Sequence, residues 1–297
     1  NNLTKTIMSE IAKLNPQIVW KNFYALTQIP RPSKHEAKVV AYLKEFGEKL
    51  GLETIVDEVG NVVIRKPATK GMEDRAGVIL QGHVDMVPQK NSNKKHDFTK
   101  DPIETIIDNG WVRANDTTLG ADNGMGCAVA MAVLESKDIA HGPIECLFTV
   151  DEETGMTGAE NLKAGMLNGK ILINMDSETE GELYVGCAGG VDVNVSKNYR
   201  EVAAPEGYEA YKLYVSGLNG GHSGMDINIG RANANKLFIR FLSRCIYKMN
   251  FELAEIKGGD MRNAIPREAY AIIMVPKAEA KVLKAEVANY EKIYKNE

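Results

Sequence analysis

Three apolar runs in the chain end in side chains that could hold a metal ion or move a proton. "VILQG" delivers His83 and Asp85, "IECLFTV" delivers Asp151, Glu152 and Glu153, and "ILINM" delivers Asp176. A fourth acid, Asp122, lies in "LGADNGMG" at the start of a small-residue helix, where free amides and the helix dipole favour an ionised carboxylate. Taken singly, each is a polar residue where a buried strand meets solvent. Taken together on one rim, the carboxylates would repel one another, and a divalent cation is the simplest thing that stabilises them. One imidazole among several carboxylates suits zinc, or manganese or cobalt, better than calcium. Glu152 and Glu153 are neighbours and so point different ways: one can hold metal while the other faces water acidified by that metal and accepts its proton. Asp85, two residues beyond His83, is placed to orient the imidazole through its other nitrogen. The chemistry these parts suggest is metal-assisted hydrolysis.

Such residues need a scaffold that brings strand ends together. "PQIVWKNFYALTQI" and "HEAKVVAYLKEFGEKLG" carry apolar residues at helical spacing, with Gly51 placed to end the second helix. "IPRPS" between them is a loop, because two prolines in three residues forbid helix. "NVVIRK", "GVILQGHVD", "GPIECLFTV", "KILINM" and "GELYVGCAGG" read as strands, and Asn109-Gly110 reads as the turn of a hairpin. Apolar strands alternating with helices predict an α/β fold with a mostly parallel central sheet covered on both faces, its carboxyl ends forming the ligand-binding rim. After Gly189-Gly190 the texture changes to amphipathic strands ("VDVNVSKNY", "YEAYKLYVSG"), a long helix over 231–249 and a charged terminal helix. Residues 1–188 are therefore expected to form the metal-binding unit and 189–297 a second, α+β unit.

The remaining composition excludes more than it assigns. A formal charge of −4 gives no reason to expect nucleic acid or an anionic membrane as partner. No apolar stretch approaches the ~20 residues of a membrane span. The first residues show no apolar core flanked by a basic head and a cleavage site, so a signal peptide is not expected. Cys127, Cys146, Cys187 and Cys245 form no C-x-x-C pair and read as buried small hydrophobes of a reducing, cytoplasmic protein. The glycines of "LGADNGMG" match neither nucleotide-binding spacing.

"GHVDMVP", "TTLGADNGMG", "TVDEETGMTGA" and "INMDSE", in this order and spacing, resemble the cocatalytic-zinc metallopeptidases that include carboxypeptidase G, peptidase T and the carnosinases. "IPRPSKHE", "GLNGGHSGMDI" and "MRNAIPRE" extend the resemblance over nearly the whole chain, nearest to the aminoacyl-histidine, or cytosol non-specific, dipeptidase branch. The resemblance implies two zinc ions, with manganese or cobalt as substitutes. It makes His83 and Asp176 ligands of one metal, Asp122 the bridge and Glu153 a ligand of the other. Glu152 becomes the general base and Asp85 the orienting carboxylate. In the second unit, the family's lid domain, it makes His222 the group that stabilises the oxyanion and Asn263 a contact for the substrate's terminal carboxylate. A small peptide substrate and a homodimer are implied as well.

The ligand tally does not close. The second metal has Asp122 and Glu153 only, and the family's third ligand is a histidine far downstream in a longer polypeptide. His35 reads as a helix-face residue, His96 as part of a solvated loop and His141 as structural, so none replaces it. The chain is accordingly expected to be a fragment of a larger dipeptidase, inactive or impaired by itself and lacking the return segment of its catalytic sheet. The alternatives are a tripeptidase or an N-acyl-amino-acid deacylase on the same metal core and, outside enzymes, an inactive metal-binding or dimerisation fragment.

Overall fold

In a computed structural model of the chain, residues 10–177, 179–186, 189, 191 and 193–297 are described. The chain divides into two compact units, residues 1–189 and 190–297. Of the predicted boundary, Cys187, Ala188 and Gly190 lie outside the described residues.

In the first unit the helical periodicities become α1 (Gln17–Thr27) and α2 (Ala37–Lys49), the latter followed by Gly51 at φ +69°. The strands are β1 (Glu53–Val56), β2 (Val62–Lys66) and β3 (Val78–His83), then the hairpin β4 (Thr105–Asp108) and β5 (Trp111–Ala114). Asn109 and Gly110 both take positive φ between β4 and β5, as a two-residue hairpin turn requires. The small-residue helix is α3 (Ala121–Glu135), followed by β6 (Ile144–Thr149), the single turns α4 (Glu152–Gly155) and α5 (Thr157–Glu160), and β7 (Ile171–Asn174).

The sheet runs β1-β2-β6-β3-β7. It is mixed: β3 pairs in parallel with β6 and β7, whereas β2 is antiparallel to both β1 and β6. Four strands thus point one way and β2 runs against them. Alternation along β2 divides the core. Val62 and Ile64 pack with Cys146, Phe148, Phe23, Leu43 and Met131 on one face, and Val63 joins Ile79 and Leu147 on the other. Every residue of β6 is buried at the centre of the sheet, but Ile171, Leu172 and Ile173 of the edge strand β7 are about half exposed. Cover on both faces therefore holds for the middle of the sheet and fails at β7, which has a strand neighbour on one side only among the described residues.

The second unit contains β8 (Tyr208–Val215), β9 (Gly221–His222), α6 (Ala234–Cys245), β10 (Glu252–Gly258), β11 (Ala264–Ile265), β12 (Ala269–Pro276) and α7 (Ala280–Asn296). Strands β10-β12-β8 form an antiparallel sheet. Alternate residues of β12 (Ala269, Ala271, Ile273, Val275) are buried against Phe238, Phe241 and Leu242 of α6 and Leu283 of α7. Asn233 caps α6 by accepting the Lys236 amide at 3.1 Å.

Two expected strands are not formed among the described residues. Residues 181–186 and 189 of "GELYVGCAGG" and the described residues of "VDVNVSKNY" pair with nothing, and Leu183, Val185, Val193 and Val195 are exposed. Alternating apolar residues make a strand only where a sheet edge receives them. Among the described residues no helix is long and apolar enough to cross a membrane. Cys127, Cys146 and Cys245 are buried free thiols, while Cys187 lies outside the described residues. His35 is exposed and His141 is buried, with its Nδ1 2.7 Å from the Gly142 carbonyl. His96 is not fully solvated as expected: it is half-buried, edge-on to Phe98 at 4.5 Å between centroids.

Candidate metal centre

Parallel pairing sets the three chemistry-bearing strand ends side by side. His83 is in register with Thr149 of β6, so the loops beginning at Val84 and Val150 leave the sheet together, joined by the Val84 amide donating to Thr149 at 2.8 Å. On the other flank the Met175 amide donates to Gln81 at 2.8 Å, which places Asp176 beside His83. The fourth acid arrives because residue 82 is glycine: a Cβ there would lie 2.3 Å from Asn123 Oδ1, so the start of α3 can press against the strand end. Asp122 is not helical; its φ −78° and ψ 113° make it part of a kinked entry to α3, with the Asn123 side chain donating to the Met175 carbonyl at 2.8 Å.

The result is one buried imidazole ringed by acids. His83 Nε2 lies 3.0 Å from Asp122 Oδ1, 3.6 Å from Asp176 Oδ1 and 4.0 Å from Glu152 Oε2. Its Nδ1 lies 3.1 Å from Asp85 Oδ1. Asp85 is completely buried and accepts the Glu152 amide (3.0 Å), the Glu153 amide (3.2 Å) and the Ser33 hydroxyl (2.7 Å). Burial pushes the Asp85 carboxyl up, but the bond and charge of His83 and the Ser33 and Glu152 donors outweigh it, leaving it below the usual range. For His83 burial acts to lower the pKa, and the bonds from Asp122, Asp176 and Asp85 overcome this and raise it. Glu152 is raised, chiefly by burial. Glu153 is pushed up to about 8 by burial, reinforced by the charge of Asp122.

Three trios among the described residues offer ligand atoms within 4.8 Å of one another: His83 with Asp122 and Asp176, His83 with Glu152 and Glu153, and the all-carboxylate Glu36, Asp85 and Asp151. Imidazole nitrogen and carboxylate oxygen suit a borderline divalent ion, and its charge would offset the burial and like charges that raise Glu152 and Glu153. The residues present therefore fit a metal. No His, Cys, Asp or Glu of the described residues joins Asp122 and Glu153 in a comparable trio.

His222 and Asn263 belong to the second unit. His222 lies in β9 opposite Ala264 of β11, its Nδ1 accepting the Gly224 amide at 3.1 Å, while the Ser223 amide donates to the Asn263 carbonyl at 2.9 Å. The two are thus neighbours within that unit.

Residues that sequence reasoning left without a role also reach the first-unit site. Arg31 is 1% exposed and donates to the backbone of Val84, Asp85 and Gly120. Glu36 is buried and accepts the Asp151 amide at 3.2 Å. Their one visible signal was the motif "IPRPSKHE".

Proton displacement gives a pH test. Glu153 holds its proton to about pH 8 in the metal-free fold against an ordinary 4.5, so the folded state binds a proton that the unfolded chain releases. That contribution to stability is fully present below the unfolded value and lost as pH rises through about 8. A metal must expel this proton, so divalent-metal affinity is expected to rise at least about tenfold per pH unit between pH 6 and 8 and less steeply above. Competition against a chelator at several pH values measures this; a flat profile would remove Glu153 from the ligand set.

Comparison with known proteins places the chain among peptidases. Residues 61–226 match Peptidase family M28 and residues 214–297 match the peptidase dimerisation domain. The cytosol non-specific dipeptidase of Escherichia coli (strain K12) is 50% identical over 290 residues, covering 98% of this chain and 60% of that protein. The crystal structure of aminoacylhistidine dipeptidase from Vibrio alginolyticus superposes with a TM-score of 0.60 at 49% identity, covering 97% of this chain and 59% of that one. Peptidase T of Citrobacter koseri is 28% identical over 199 residues, covering 57% of this chain and 47% of that protein. The chain spans about three fifths of the length of the first two relatives.

Proposed function

Because the chain belongs to the M20/M28 peptidases, we propose that the protein it represents is a zinc-dependent dipeptidase of the cytosol, acting on unblocked dipeptides, X-His among them. The observation that carries this reading is the convergence of His83, Asp122 and Asp176 from three separate segments, with Glu152 and Glu153 beside them. A bound zinc pair would polarise the scissile carbonyl and lower the pKa of water to near 7.

The chain's own residues take distinct parts. His83 and Asp176 would hold one metal, Asp122 would serve both, and Glu153 would hold the other. Asp85 fixes the His83 ring through Nδ1, keeping Nε2 for the metal. Glu152 accepts the proton of the attacking water and returns it to the leaving amine as the C–N bond breaks. His222 is proposed for the oxyanion: with the Gly224 amide on its Nδ1, the proton falls to Nε2 and can be donated. Asn263 is proposed for the substrate's terminal carboxylate. The first unit serves as the catalytic domain and residues 189–297 as the lid, through which a homodimer would form. The relatives' names support the dipeptidase reading, and the dimerisation-domain match over 214–297 supports a homodimer.

Assaying the zinc-loaded protein against dipeptides, tripeptides and N-acyl amino acids tests the reading. Preference for dipeptides is expected, and turnover of N-acyl amino acids alone would sink it. A second reading is a metal-binding dimerisation module, favoured by the lack of a third donor to Asp122 and Glu153 among the described residues. Tight zinc binding with no hydrolysis of any substrate would put that reading first.

A further inference from the structure

The segment "RPSKHE" touches three of the four loops of the centre, those of His83–Asp85, Asp122 and Glu152–Glu153. Pro32 pairs with Met86, and the Ser33 amide donates to the Met86 carbonyl at 3.4 Å, so residues 31–33 run as a short parallel ribbon beside the His83–Met86 turn. Within it Arg31 Nη1 donates to the carbonyls of Val84 (2.8 Å) and Asp85 (3.0 Å), and Nη2 donates to Gly120 (2.5 Å), two residues before Asp122. The Ser33 hydroxyl holds Asp85, and Glu36 holds the Asp151 amide at the head of the Glu152–Glu153 turn. Room for the guanidinium comes from glycine: a Cβ on Gly120 or Gly124 would sit 2.6 Å from Nη2.

Burying a guanidinium is costly, and an apolar side chain of similar volume would fill the same space without that penalty. What only the planar fork provides is a fixed spacing between carbonyls on different loops. All three acceptors lie on loops that carry site residues. We propose that residues 31–36 form a clasp, centred on Arg31 as a positioning residue, that fixes the His83–Asp85, Asp122 and Glu152–Glu153 loops relative to one another and so preorganises the metal site. The clasp rests on the metal-centre reading above for its purpose but not for its mechanics.

The test pairs Arg31→Lys with Ser33→Ala and reads two quantities. In the metal-free protein, amide exchange of Val84, Thr118 and Gly124 is expected to accelerate together in Arg31→Lys, because lysine cannot bridge both loops, while α2 and β2 keep their protection. In Ser33→Ala the Glu152 and Glu153 amides, which donate to Asp85, are expected to accelerate. Zinc alone, titrated against a chromophoric chelator, is expected to bind roughly 10- to 100-fold more weakly to Arg31→Lys and about tenfold more weakly to Ser33→Ala, the latter with an unchanged melting midpoint. A merely structural arginine would lower the melting midpoint without loosening zinc binding by the folded protein. Unchanged exchange at Thr118 and Gly124 with wild-type zinc affinity would overturn the clasp. Where Arg31→Lys fails to fold, Ser33→Ala decides: unchanged exchange at Glu152 and Glu153 overturns it. A wild-type chain that binds no zinc would sink the metal-centre reading alone, with the exchange data still deciding the clasp.

Discussion

Loaded with zinc and dialysed, the 297-residue chain is expected to retain about one zinc ion, and His83→Ala is expected to retain none. A stable zinc site needs three or four protein donors. His83, Asp122 and Asp176 supply three, within 4.8 Å of one another and from three separate segments. Asp122 and Glu153 supply only two to a second ion. His83 is also the one neutral donor in the set, so its loss leaves the ion with carboxylates alone, whose like charges repel one another. The affinity loss should exceed the 10- to 100-fold typical of outer-sphere partners. Metal analysis of the dialysed protein reads the result directly. Two ions per chain would mean that Asp122 and Glu153 gain a third donor, and the hydrolytic assays should then be run on this chain first. Full retention by His83→Ala would remove the imidazole from the site.

How much of this was legible in the sequence follows from what each residue depends on. His83, Asp85, the Asp151–Glu153 run and Asp176 each follow an apolar run directly, and parallel pairing puts such ends on one rim, so local pattern and a general topological rule sufficed. Asp122 was legible as a residue but not in conformation, because its kinked entry depends on Gly82 and Asn123 meeting across the sheet. The antiparallel β2 was hidden by its apolar composition, which matches that of its parallel neighbours; only the short link from β1 reveals the direction. The expected strands over 181–199 failed for the opposite reason, since alternation was present but the described residues there pair with no sheet edge. Arg31, Ser33 and Glu36 were least visible. Their partners lie 53, 52 and 115 positions away, and a loop between prolines has no periodicity to show which way its side chains point.

In an active, full-length form of the protein, Glu152→Gln is expected to lower dipeptide turnover by roughly 10²- to 10⁴-fold, the range of a lost general base, while leaving metal content unchanged. The two adjacent glutamates make this a sharp test. Glu153 is 6% exposed and faces Asp122 inside the ring of acids, whereas the Glu152 side chain is 36% exposed and reaches only to 4.0 Å from His83 Nε2. The more open carboxylate is the one a water molecule and a leaving amine can both approach. Burial raises its pKa, which moves it toward the neutral range where a base can both take and return a proton. Glutamine keeps the shape and removes that capacity. The Glu152 backbone amide that donates to Asp85 at 3.0 Å is untouched by the change, so the His83–Asp85 pair keeps its geometry. Glu153→Gln in the same full-length form should show the reverse pattern, with one of the two metals lost and activity falling as a consequence. Metal analysis beside initial rates for both variants separates the roles. Near-normal turnover in Glu152→Gln would place the base elsewhere. Loss of metal from Glu152→Gln would make Glu152 a ligand, as its trio with His83 and Glu153 also permits.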